Sequence, residues 1–216
     1  MAREDRATGR PTADDYDWFD DCHRYRPGFC ITFIAGLTPG DVLRRLSLTE
    51  DPQRAEPWTV EIGAADGGSI MGEPGGTVGT MVDVLRNLSL GTSVVSVTRN
   101  VNFNSRFVHA RNGEIISILD PMWPDWTSSR EPDTLRANVE DLGWIDEYDS
   151  DDWNDSDDWN DSDDGFFPQY LEATLALAER LTGVRLEANH LQGDGLPHRA
   201  SVAHFYERDP FPELAY

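Results

Sequence analysis

The stretch from Asp149 to Asp164, DSDDWNDSDDWNDSDD, cannot enter a packed core. Its unit, D-S-D-D-W-N, is written twice and begun a third time. It holds nine carboxylates and no basic residue. Like charges repel along such a run, and two tryptophans bury too little apolar area to offset the entropy of ordering it. The segment therefore divides the chain. Residues 1–14 are polar and expected to be disordered, and 15–145 form the first part of a domain. Residues 146–164 are an acidic insert, also expected to be disordered. Residues 165–216 return as a helix and tail that complete the domain.

Several uses of the insert stay open. As a calcium loop it fails: the first glycine after the repeat, Gly165, would fix Asn160 at position 1, and position 12 would then be Leu171, not a glutamate. Loose divalent binding by the carboxylates is not excluded. As a docking arm or nucleic-acid mimic it has a useful period. Six is a multiple of two and of three, so Trp153 and Trp159 fall on one side of an extended or polyproline-like chain. In an α-helix a step of six scatters them. At about 3.3 Å per residue the run spans roughly 53 Å, with about one charge per 6 Å. Asp151, Asp152, Trp153, Asp155, Asp157, Asp158, Trp159 and Asp161 are the arm residues expected to meet a partner. The plain alternative is a solvated spacer, which would not need the tryptophans.

The chain of 216 residues carries a formal charge of −22. Its surface outside the insert is acidic too, which disfavours direct binding to nucleic acid or anionic lipid and favours a basic protein partner. All 18 basic residues are arginine. A Schiff-base lysine, a phosphate-loop lysine and a lysine general base are thereby excluded. The N-terminus lacks the apolar core of a signal peptide. The apolar run Phe29–Leu37 is too short to span a bilayer. Cys22 and Cys30 make no disulfide framework and no zinc spacing, and Cys30 sits in an apolar run, so both read as core residues. The expected setting is a reduced cytoplasm, with no metal and no cofactor assigned.

Element signals recur along the chain. FCITFIAGL (Phe29–Leu37) reads as a buried strand. TPGD follows, with Thr38 as N-cap, Pro39 at N1 and Asp41 at N3, opening a short helix that buries Val42, Leu43 and Leu46. PWTVEIGAADGGSIMGEPGG reads as strand, glycine turn and strand. A helix over Thr77–Leu90 presents Val78, Met81, Val82, Leu85 and Leu88, with Gly91 as terminator. Residues 92–120 are strand-rich, with a turn at Arg111–Gly113 and a bend near Asn100–Ser105. EPDTLRANVEDLG and PQYLEATLALAERLTG are two further helices. The order implies an α+β fold of one domain: a mainly antiparallel sheet with about four helices packed on one face.

WFDD, GFCITFIAGLTPGDVLRRL, SVTRNVNFNSRFVHARNGEI and LALAERLTGVRL resemble an actinobacterial family that carries only a domain-of-unknown-function label. The resemblance covers roughly Asp15 to Leu186. It implies a bacterial cytosolic setting and one domain, and it brings no catalytic residues with it. The hexapeptide departs from the family's pattern, so it is an accessory of this chain.

Among ordered stretches, RNVNFNSRF is the most suggestive. On a strand, Asn100, Asn102, Asn104 and Arg106 would share one face, with Val101, Phe103 and Phe107 on the other. An amide ladder ending in a guanidinium would suit a carboxylate or a peptide backbone. An ordinary wet sheet face explains the same pattern. The glycines after Ile62 lack a phosphate-binding spacing and read as a turn and loop. No short nucleophile, zinc-protease or kinase motif is present, and His109, His190, His198 and His204 are scattered. The leading expectation is a non-enzymatic adaptor or immunity-like protein that binds a basic partner. The alternatives are an enzyme centred on Glu61, Asp66 and the Asn100–Arg106 face, and a mimic that occupies a nucleic-acid-binding protein.

Overall fold

The computed structural model describes residues 9–25, 27–53, 57–144 and 169–208. A 3₁₀ helix, Ala13–Asp21, comes first. Then follow β1 (Phe29–Ala35), α1 (Pro39–Arg45), β2 (Thr59–Ala65), β3 (Gly68–Pro74), a 3₁₀ turn (Val78–Thr80) and α2 (Val82–Leu88). Four more strands run on: β4 (Ser93–Arg99), β5 (Ser105–Arg111), β6 (Glu114–Asp120) and β7 (Trp123–Ser129). The chain closes with α3 (Pro132–Asp141), α4 (Tyr170–Thr182), α5 (Ala188–Leu191), β8 (His198–Ser201) and α6 (Ala203–Arg208). The fold is α+β. One open antiparallel sheet of eight strands has the order β7-β6-β5-β4-β1-β3-β2-β8.

β1 lies between β3 and β4, at the centre of the sheet. Its unbroken apolar run has the physical reason that both of its faces are covered. Phe29, Ile31 and Phe33 point into one cluster with the 3₁₀ helix, α3 and α4. Ile34 joins the other, with α1 and α2. Helices therefore pack on both faces, not on one as the sequence suggested. The sequence also missed β7 and β8, short edge strands with little alternation.

Local signals hold where they were strong. Asp41 N–H donates to Thr38 Oγ1, while Asp41 Oδ2 accepts from Thr38 N–H and its hydroxyl. These bonds, aided by Arg44, hold the Asp41 carboxyl down at about 2. The expected second helix is broken in two: the 3₁₀ turn ends at Met81, whose ψ of 133° is extended, and α2 restarts at Val82. The five expected apolar residues are nevertheless buried.

The 3₁₀ helix corrects the expectation that residues 1–14 are disordered throughout. From residue 9 the chain is described, and Arg10 bonds to Asn138 and Asp141 while Pro11 C=O accepts from Arg180. A 3₁₀ helix repeats every three residues. Ala13, Tyr16, Phe19 and Cys22 accordingly form the buried ridge, and Asp14, Asp17 and Asp20 the exposed one. That ridge lies on α4, where Tyr16 donates to Glu179 Oε2 at 2.6 Å. All residues of α4 from Tyr170 to Ala178 are buried, because the helix is held between the sheet and the 3₁₀ helix. The one-sided burial expected for it is thus too narrow.

α4 stops at Gly183 in the left-handed region, against the β2–β3 turn. There Gly67 has φ +87°, and a Cβ on it would lie 2.1 Å from Gly183 O. Gly67→Ala is expected to destabilise the protein by about 1–3 kcal/mol through strain and overpacking, read as a lower urea midpoint. Gly75→Ala is the control, since its φ of +70° carries similar strain with nothing within 4 Å of its Cβ. Equal losses in the two variants would show that the contact with Gly183 contributes nothing.

Candidate interaction face

Asn100, Asn102 and Asn104 do not alternate along a strand. β4 ends at Arg99 and β5 begins at Ser105, so residues 100–104 are the connecting turn. Asn100 Oδ1 accepts from the N–H groups of Asn102 (2.9 Å) and Asn104 (3.1 Å). Asn100 N–H donates to Asn104 O, and Phe103 N–H to Asn100 O, both at 3.0 Å. The asparagine pattern thus encodes a self-satisfied Asx turn, the local side-chain bonding that draws this residue out of strands. The expected amide ladder is replaced by it. Arg106 stands apart on β5, half-buried and paired with Thr98. Val101 and Phe103, expected on the inner face, are 69% and 63% exposed.

This turn stands beside the acidic 3₁₀ ridge. A Cβ on Gly28 would lie 3.3 Å from Arg99 O and 3.5 Å from Val101 N. The Arg99 guanidinium lies 5.6 Å from the Phe29 ring centre and 5.7 Å from that of Phe103. Phe29 in turn meets Phe19 of the 3₁₀ helix edge to face at 5.1 Å. Glu172, in the first turn of α4, completes the neighbourhood. Burial pushes its carboxyl upward, Asp20 and Asp17 push it further, and Arg99 opposes them. The Gln169 side chain donates to Asp17 at 3.3 Å. The arm residues Asp151, Asp152, Trp153, Asp155, Asp157, Asp158, Trp159 and Asp161, with the expectation of disorder, lie outside the described residues. The chain re-enters the described part at Gln169, on the acidic ridge. Sequence reasoning missed this ridge, although its signal is present in the three-residue spacing of Asp14, Asp17 and Asp20.

The residues of the alternative enzyme site are not brought together. Asp66 is in the β2–β3 turn, beside the Ala35 end of β1, where its C=O accepts from Arg185 N–H. The Asn100 turn is at the Phe29 end, roughly 20 Å away for a strand of this length. Glu61 is separate again. Its side chain is 4% exposed and paired with Arg24 through Oε2 and with Arg199 Nε through Oε1 at 2.9 Å.

Two further polar clusters are buried. The Glu73 carboxylate accepts from Val78 N–H (3.1 Å) and Gly79 N–H (2.9 Å), closing the 3₁₀ turn. Burial nevertheless raises its pKa to about 7. Cys30 adjoins it, 3.1 Å from Ser96 Oγ, with its thiol pushed upward by burial. On the other face His109 Nε2 lies 2.9 Å from Ser93 Oγ, which also reaches Leu181 O at 3.3 Å. Burial, with Arg111 nearby, lowers His109 to about 4, so the ring is neutral near pH 7. A small open recess of about 180 Å³ lies there, lined by His109, Ser117, Glu131, Thr134, Leu135 and Leu181. Ser93 does not line it. The Ser93–His109 pair ties α4 to the sheet and presents no nucleophile to the recess.

Among the described residues, no cluster of three or more His, Cys, Asp or Glu is arranged to hold a metal ion. None of the described helices is long and apolar enough to cross a membrane. No curated protein and no solved structure matches the chain. A family model does match, over residues 9–56 and 57–195, which is most of its length. The chain belongs to DUF6461, a family of unknown function.

Proposed function

We propose that the protein is a non-enzymatic adaptor or immunity-like protein that docks a basic protein partner. Its docking face combines the ridge Asp14, Asp17 and Asp20, Glu172 and the acidic arm Asp149–Asp164. The observation that carries this reading is the bond from Gln169 to Asp17, which returns the arm's flank to the one ridge where carboxylates already crowd. A field of one sign over such a face steers an oppositely charged partner and rejects nucleic acid. The setting that goes with this reading is the cytoplasm of an actinobacterium, with the chain acting as one domain.

The test uses a partner captured from the native host. Its affinity is compared for wild type, a deletion of Asp149–Asp164, and Trp153→Ser with Trp159→Ser, at rising salt. Wild-type binding is expected to weaken steeply with salt, and the deletion to weaken it at low salt. Each ring stacked on arginine adds about 0.5–2 kcal/mol, so the double serine variant should bind about tenfold more weakly. A deletion that binds normally at low salt would reduce the arm to a spacer. A partner that is itself a nucleic-acid-binding protein, displaced by oligonucleotide, would make the arm a mimic.

A further inference from the structure

We infer that the β4–β5 turn is an apolar anchor at the centre of this acidic face, shaped for a basic segment that carries an apolar side chain among its cations. This rests on the acidic docking reading and adds what charge alone does not supply. Among the described residues four large apolar side chains are exposed: Trp58, Leu90, Val101 and Phe103. Trp58 is already stacked on Tyr206, with ring centres 4.4 Å apart. Val101 and Phe103 sit together on one turn of five residues, more than half exposed.

That turn is not loose. Asn100 satisfies its N–H groups internally, and Phe103 holds a left-handed backbone at φ +64°. The Phe103 ring rests within cation–π reach of the Arg99 guanidinium, whose position relative to Phe29 is described above. The backbone thus needs no partner for its own hydrogen bonds, and the apolar tips are presented in a fixed geometry. Rigid aromatic anchors ringed by polar groups are where binding energy concentrates, since little entropy is lost on docking them. The ring here is acidic: exposed Asp17 and Asp20, with Glu172 behind. A neutral apolar partner would leave those carboxylates desolvated and unpaired. A purely cationic one would leave Phe103 and Val101 in water. An amphipathic basic segment satisfies both.

The test uses two synthetic peptides of equal length and lysine content, one with leucine and one with serine between the lysines. Affinities for wild type are measured at physiological salt, with backbone amide shifts recorded. The leucine peptide is expected to bind at least about tenfold more tightly, with shifts centred on residues 99–105. Val101→Ser with Phe103→Ser should abolish that preference and leave the serine peptide's affinity unchanged. Both side chains are exposed, so an unaltered thermal midpoint confirms that the variant folds. A preference that survives the double substitution, or shifts centred elsewhere, overturns the anchor. Salt and the deletion of Asp149–Asp164 separate the two ideas. Equal binding of both peptides that weakens with salt and with the deletion leaves charge docking standing and sinks the anchor. A leucine preference at the turn that ignores both sinks the charge reading and leaves the anchor. Failure of both peptides to bind sinks both.

Discussion

Arg24→Met combined with Arg199→Met is expected to cost about 3–5 kcal/mol of folding stability. The two guanidiniums are the partners of the buried Glu61 carboxylate, one on each oxygen. Glu61 lies on β2 between Val60 and Ile62, which point into the opposite cluster, and directly opposite Arg199 on β8. Removing both partners strands a charge that is 4% exposed, and the desolvation already incurred is no longer offset. The arginines themselves are partly exposed, so losing their own charge costs little. Adding Glu61→Leu should therefore restore most of the loss, although each single step removes a native contact. Urea unfolding of the double and triple variants checks this. A triple variant no more stable than the double would show that the arginine stems, not the ion pairs, hold β8 to the sheet.

Glu73 and His109 are expected to give opposite pH dependences that offset one another in the wild type. The Glu73 carboxyl, ordinarily near 4.5, is raised to about 7 by burial. Its contribution is complete below about pH 4.5 and is lost as pH rises through 7, because the folded protein must then hold a buried charge. His109, ordinarily near 6.5, is lowered to about 4. Its contribution is complete above about pH 6.5 and is lost as pH falls through 4. Each shift corresponds to about 3 kcal/mol. Relative to wild type, Glu73→Gln should gain about 3 kcal/mol between pH 4.5 and 7. His109→Gln should gain about as much, relative to wild type, between pH 6.5 and 4. Denaturant unfolding across pH 4–7.5 reads both. A constant difference from wild type at every pH would mean that the variant's group titrates alike folded and unfolded.

Neither buried group was legible as special in the sequence. Glu73 was one carboxylate among 40 acidic residues, and His109 one of five histidines. What distinguishes them is desolvation by distant segments. α2's preceding turn and β1 close over Glu73, and the end of α4 closes over His109. The Asn100 turn shows the converse. Its residues carry a local signal for an Asx turn, and counting alternate positions as a strand assigned Val101 and Phe103 to the wrong side.

The sequence by itself determined what is settled within a few residues. The Thr38–Asp41 cap, the stop at Gly183, the Arg111–Gly113 turn and the apolar faces of α1 and α3 all rest on bonds between near neighbours. It also determined that the acidic repeat is not core. The tertiary structure alone decided the strand order, with β1 between β3 and β4, and the covering of both sheet faces. It also brought the Asp14, Asp17 and Asp20 ridge beside Glu172 and the Phe103 turn. The physical reason is one of range. Caps and turns are fixed by interactions at spacings of two to four residues, whereas strand pairing and burial depend on which remote surfaces exclude water together.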